Sequence, residues 1–148
     1  MTYVYRLIHR KKVYFNPDFG WVCDDKGIGC FSTFSRADRA GKEYRKIIGF
    51  RDFPDNFMIE KIPVFGTKKN CSAVYELTHF FDDGYGNDIV PYSGFFSSRK
   101  KARCMISLLK KDPFFSSRPE DFLIVHIKLN QCSWREGFIS VGDENDIL

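Results

Sequence analysis

His9 and His79 are the residues whose placement most invites a chemical reading. Each follows the same short stretch, Val4-Tyr5-Arg6-Leu7-Ile8-His9 and Val74-Tyr75-Glu76-Leu77-Thr78-His79, at a spacing of 70. Equivalent histidines at the ends of equivalent strands suit acid–base work or metal binding. They equally suit a buried structural role, the ring nitrogens bonding backbone or carboxylate. The structural role is adopted here, with Glu136 as the expected side-chain partner of His79 and Trp134 in the same closing motif. His79 and Glu136 as acid and base remain the enzymatic alternative. His126 completes the histidine set, and with Cys23, Cys30, Cys71, Cys104 and Cys132 it gives no zinc-ligand spacing. There is no phosphate-binding glycine loop and no nucleophile elbow. The expectation is a non-catalytic protein with no cofactor and no metal.

The carboxylates Asp82 and Asp83 sit in a glycine-containing loop, where paired acids are ordinarily solvated turn residues. Their neighbours alter the reading. Phe81, Asp82, Asp83, Tyr85, Asp88 and Tyr92 place aromatic rings among acids, the mixture that protein interfaces favour. They are the candidate protein-binding residues. Basic residues lie elsewhere, as Arg36, Arg39, Lys42, Arg45 and Lys46 on one helix and Arg99, Lys100, Lys101, Arg103, Lys110 and Lys111 on another. Those faces read as solvated, with nucleic-acid binding as the alternative function. Segregated charge steers association with a charged protein partner.

The elements that position these residues come twice. Gly29–Val64 slid forward by 65 falls on Gly94–Leu129 without a gap. Ten of its 36 positions are identical, among them Gly29/Gly94, Ala37/Ala102, Phe50/Phe115 and Phe57/Phe122. Average composition gives roughly two. The order read from the pattern is strand 2–9, a long connection 10–28, strand 29–34, a helix capped by Ser35, and strand 57–64. After a linker at 65–70 it repeats as strand 73–80, loop 81–87, strand 89–96, a helix from Ser97 or Ser98 to Lys111, and strand 122–129. The turn signals in the long connection are Asn16-Pro17-Asp18 and Asp24-Asp25-Lys26-Gly27. The first helix carries one apolar stripe of Ala37, Ala40, Tyr44, Ile47 and Ile48. Pro91 demotes the start of its strand to an edge or bulge.

The fold class expected is α+β: a tandem duplication of a small β-β-α-β unit, mostly antiparallel, with one helix per unit. The units are residues 1–65 and 71–141, the second with an extra closing strand through Val141. Both are near the size where one core barely suffices, so they are expected to pack as one cooperative body.

The second half resembles a family of small bacterial domains of unknown function. The resemblance rests on Val74-Tyr75-Glu76-Leu77-Thr78-His79, on Gly94-Phe95-Phe96-Ser97-Ser98, on Pro119, Phe122 and Ile124, and on Trp134-x-Glu136-Gly137-Phe138. It covers residues 72–141; the first half reads as a diverged copy without the closing motif. The resemblance implies no catalytic residue. Similar domains occur near bacterial toxin and conflict genes, which implies an immunity or inhibitor protein that occludes a toxin's active site.

Charge and length bound the rest. The net charge of +4 over 148 residues falls short of a nucleic-acid footprint. The 16 phenylalanines supply large buried area to small cores. Five irregular cysteines suggest free thiols in a reducing cytoplasm. The charged, strand-like start is not a secretion signal, and no stretch is long enough to cross a membrane as a helix.

Overall fold

The computed structural model describes residues 2–18, 20–66 and 71–139. Most of the linker and the acidic tail, with Asp143, Glu144 and Asp146, lie outside the described residues. The chain is α+β. Its elements are β1 (Thr2–Asn16), β2 (Gly20–Phe31), α1 (Phe34–Tyr44), β3 (Phe57–Phe65), β4 (Ala73–Asp82), β5 (Asp88–Phe96), α2 (Arg99–Leu109), α3 (Pro113–Ser116) and β6 (Phe122–Lys128), with 3-10 turns at Phe50–Asp52 and Pro119–Asp121. They gather into two units. The first comprises Val4–Lys61 and the described part of Asn130–Leu148, the second Ile62–Leu129 with the first residues of β1.

In the first unit β1 lies between β2 and β3. The β1–β2 hairpin is far longer than the sequence pattern suggests. Asp24-Asp25-Lys26-Gly27, read as a turn, lies inside β2, and the turn is made at Asn16-Pro17-Asp18 alone. The reason is electrostatic pairing across the ladder. Arg10 stands opposite Asp25 and Lys11 opposite Asp24, and opposite charges on facing strand positions stabilise the pair. The register slips between Leu7 and Ile8, a bulge that absorbs Ile28.

Helix α1 starts from Thr33, whose hydroxyl accepts from the Arg36 N–H. This corrects the expected cap at Ser35, which lies inside the helix. Asp38 pairs with Lys42 one turn on. Ala37, Ala40 and Tyr44 form the buried stripe over Leu7, Ile28 and Phe50. The helix ends at Tyr44, so Ile47 and Ile48 belong to the following turn. Fully burying Leu7, Ile28 and Phe50 contributes about 1.5–3 kcal/mol each.

The second unit orders the end of β3, then β5, β4 and β6. β4 pairs antiparallel with both neighbours. Val64 and Phe65 run parallel to Phe95 and Phe96, the one parallel piece among the ladders described. Pro91 and its neighbour Val90 are exposed and fall at the register shift between the pairs His79/Tyr92 and Phe81/Ile89, a bulge in the β4–β5 ladder. Helix α2 is capped by the Ser98 hydroxyl, which accepts from the Lys101 N–H. Asp112-Pro113 stops it but also opens α3, with the Asp112 carboxylate accepting from the Phe114 N–H. Ala102 packs with Leu77 and Phe96 at the core, flanked by Met105, Ile106, Phe122 and Ile124.

The segment after Leu129 contradicts the expected boundaries. It was assigned to the second unit as a closing strand, yet it belongs to the first. Asn130 N–H donates to the Cys30 carbonyl, Ser133 N–H to Ile28 and Phe138 N–H to Ile48. Tyr44 donates its hydroxyl to the Ser133 carbonyl at 2.7 Å. Residues 130–139 form turns and irregular chain with no strand. This strap seals α1 and β2. Its proximity in sequence to β6 decides nothing about where its apolar side chains find a core.

Candidate functional site

The hairpin joining β4 to β5 holds the acidic, aromatic cluster. Gly84 and Gly86 take positive φ of 83° and 84°, and this permits a tight loop. Asp83 then knits the loop shut. One of its oxygens accepts from the Tyr85 N–H at 2.7 Å and the Asn87 N–H at 3.2 Å. The other accepts from the Asn87 side-chain amide at 3.0 Å. Asp82 accepts from the Gly84 N–H. The Asn87 side chain, and then the loop N–H groups, hold the Asp83 carboxyl below its ordinary range. Tyr85 stands 80% exposed at the tip, with exposed Asp82 and Asp88 paired at its base.

The six candidate binding residues therefore divide. Asp82, Tyr85 and Asp88 face solvent. Asp83 is a loop fastener. Phe81 is half-buried beneath the Arg118 guanidinium, 4.1 Å from its ring. Tyr92 packs against the Leu77 cluster, and burial pushes its hydroxyl up.

His79 is fully buried, as a structural residue should be, but its partner differs from expectation. Its Nε2–H donates to the Arg118 carbonyl at 3.0 Å, not to Glu136. Glu136 is exposed on the strap of the first unit. Sequence reasoning missed this bond because a backbone carbonyl leaves no mark in residue types. Rings surround His79: Phe122 at 4.6 Å, Phe115 at 5.0 Å and Phe114 at 5.8 Å between centroids.

The first unit contains the same arrangement. His9, also fully buried, donates from Nε2 to the Phe53 carbonyl at 3.0 Å. Phe57 lies 4.9 Å from it, Phe50 5.0 Å and Phe138 6.3 Å. In both histidines Nδ1 is buried and has no hydrogen-bond partner among the described residues. Burial holds the His9 imidazole below its ordinary range. Both rings are closed off from solvent.

Trp134 has a structural place in the strap. Lys26, buried and ion-paired with Asp24, sets its ammonium 4.0 Å from the Phe138 ring and 5.4 Å from Trp134. Such desolvated contacts are the stronger kind of cation–π pair.

The basic helix residues are largely solvent-facing. Lys42 is tied to Asp38, Arg99 lies over Tyr75, and the Lys101 ammonium donates to the Ser97 hydroxyl at 3.3 Å. Arg45, Lys46, Lys110 and Lys111 fall beyond the helix ends. The sequence reading also passed over Lys12, Tyr14 and Trp21 on the β1–β2 hairpin. Their alternation across the ladder was the available signal.

Among the described residues no group of three or more His, Cys, Asp or Glu is arranged to hold a metal ion. Nor is any helix among them long and apolar enough to cross a membrane. Comparison with protein-family models, with curated proteins and with solved structures finds no match to this chain.

Proposed function

We propose that this is a non-catalytic cytoplasmic protein that binds another protein through the end of the β4–β5 hairpin. The observation that carries the reading is Tyr85, 80% exposed on a loop that Asp83 holds in one shape. A large ring kept out of the core on a fixed loop loses little freedom on binding. Exposed acids at its base favour a basic surface on the partner. The partner class that fits is a toxin with a cationic active-site cleft, occluded by the loop. The resemblance of residues 72–141 to small bacterial domains near toxin genes points the same way.

The finer reading of the fold is also a proposal: the two units descend from one duplicated β-β-α-β ancestor. Its support is correspondence at a spacing of 65. Thr33 and Ser98 cap helices of 11 residues each. His9 bonds the carbonyl of residue 53 and His79 that of residue 118. The flanking rings are Phe50 and Phe57 in one unit, Phe115 and Phe122 in the other.

Surface-binding kinetics against the protein partner recovered by pull-down from the host cell test the functional reading. Tyr85→Ala should speed dissociation about tenfold or more, equivalent to about 1.4 kcal/mol. Asp82→Lys should slow association, most at low salt. Parent-like binding by both variants, with loss on reversing Arg99, Lys100 and Lys101, would move the interface to the basic helix.

A further inference from the structure

The β1–β2 hairpin beyond His9 presents a surface that the protein-binding reading does not use. Arg10 faces Asp25, Lys12 faces Cys23 and Tyr14 faces Trp21 across the ladder. Strand alternation puts these three pairs on one side of the hairpin. Trp21 is 70% exposed and Tyr14 55%, their rings edge-to-face at 5.6 Å. Two cavities of about 440 Å³ each meet at Lys12. One is lined by Lys12, Trp21, Val22 and Cys23. The other runs over Arg10, Lys11 and Lys12 to Phe53, Asp55 and Met58. The surface is therefore an aromatic floor, a cation, and a second partly aromatic floor.

We propose that this trough binds nucleotides, free or as units of a single strand, with one base against Trp21 and Tyr14, a second in the Phe53–Met58 cavity, and the linking phosphate at Lys12. Flat π-faces flanking a cation form the recurring platform for unpaired bases. The cations differ in availability. Asp25 holds the Arg10 guanidinium through two contacts of 2.8 Å. The Lys11 ammonium sits 4.3 Å over the Phe53 ring. Lys12 is exposed, and no side-chain ion pair engages it among the described residues. One exposed ammonium beside two engaged cations suits a single phosphodiester. Asp55 on the far wall opposes further phosphates and offers an acceptor to base amino or imino groups. A polyphosphate is thereby disfavoured against a dinucleotide step. An acidic peptide would satisfy Lys12 but leave both ring floors without flat partners.

The test uses the full chain and fluorescence anisotropy of a labelled hexameric oligouridylate, with unlabelled oligomer, uridine monophosphate, inorganic phosphate and a polyglutamate peptide as competitors. The labelled oligomer should bind saturably and lose affinity as salt rises. Unlabelled oligomer should compete at least tenfold better than the mononucleotide, and phosphate and peptide should not compete. Competition by the mononucleotide equal to the oligomer would place free nucleotides as the source, within the same chemistry. Lys12→Glu and Trp21→Ala should each weaken binding at least tenfold. Both residues are exposed, so the fold should persist, checked by circular dichroism. Lys100→Glu with Arg103→Glu on α2 should change nothing. In a Trp134→Phe background Trp21 is the one indole, and its emission should be quenched by oligomer. The proposal is overturned by absence of saturable binding, by parent-like affinity in both trough variants, by loss traced to the α2 variant, or by preference for the peptide. The residues involved are distinct from those of the Tyr85 loop, so failure here leaves the protein-binding reading standing, and the reverse.

Discussion

Acidification should weaken the first unit through His9 in a calculable way. The ring is fully buried, its Nε2–H is committed to the Phe53 carbonyl, and phenylalanines pack around it. The charged groups facing it are Lys26 and Asp24 from β2 and Lys11 from its own strand. Burial lowers its pKa below the ordinary 6.5, the carbonyl bond and Asp24 opposing, the two lysines reinforcing. A depressed histidine pKa means that the unfolded chain takes up the proton first. Stability from this group is complete above 6.5 and falls as pH drops, until the folded ring titrates as well. For as long as the native ring stays neutral, the loss approaches at most about 1.4 kcal/mol per pH unit below that point. The check is urea denaturation between about pH 5 and 7.5 on the parent and on His9→Phe. The variant leaves the Phe53 carbonyl without its donor and should cost about 1–3 kcal/mol at neutral pH. It should also have a shallower dependence of stability on pH, by as much as one proton. Contributions common to both proteins cancel in the difference. Identical slopes, or a parent that gains stability on acidification relative to the variant, would refute the reasoning.

Three further outcomes follow from the packing. Gly49→Ala should cost about 2 kcal/mol or more, since φ is +84° and a Cβ would fall 2.5 Å from the Phe138 carbonyl oxygen. Gly84→Ala, at φ +83° with nothing within 4 Å, should cost about half as much; equal costs in urea titrations would contradict the role given to the strap. Thr33→Ala and Ser98→Ala should each lose about 1 kcal/mol by the same measurement, and a neutral result would show that the caps are replaceable by water. Residues 1–68 alone should give no dispersed NMR spectrum, because the first unit takes the Phe138 ring and the Ser133 contacts from the far end of the chain. A well-dispersed spectrum would show that the strap is dispensable.

The α+β class and the placement of both helices were legible because hydrophobic periodicity and polar caps are local signals. Of the two caps offered for the second helix, Ser97 and Ser98, the structure takes Ser98. Thr33 was missed because Ser35 is equally good chemistry two residues later, and only backbone geometry separates them. The long hairpin was illegible for a different reason. Asp24-Asp25-Lys26-Gly27 has turn composition, and only the facing residues Arg10 and Lys11 make it a strand. The strap was misassigned because proximity in sequence stood in for proximity in space. In the candidate site, the acidic loop was visible from composition. The division of its residues was not. Phe81 turns inward because Arg118, 37 positions later, lies over its ring, and no local rule contains that information.

What a sequence comparison of the two halves cannot score is an interaction kept while its residues change. In the first unit the Lys11 ammonium covers the Phe53 ring; in the second, Phe81 is covered by Arg118. Residues 53 and 118 correspond at a spacing of 65, and residues 11 and 81 at the spacing of 70 that relates His9 to His79. The cation and the ring have exchanged strands, so both positions count as mismatches although the contact is the same. The third ring of each histidine cage shows the same thing more widely. Phe114 supplies it from within the second unit. Its counterpart at a spacing of 65 is Gly49, and there the strap lays Phe138 into the place a side chain would occupy. A glycine and a distant phenylalanine together do the work of one local phenylalanine. The filled cage and the covered ring are common to both halves. The residues that supply them differ, and identity therefore understates how alike the halves are.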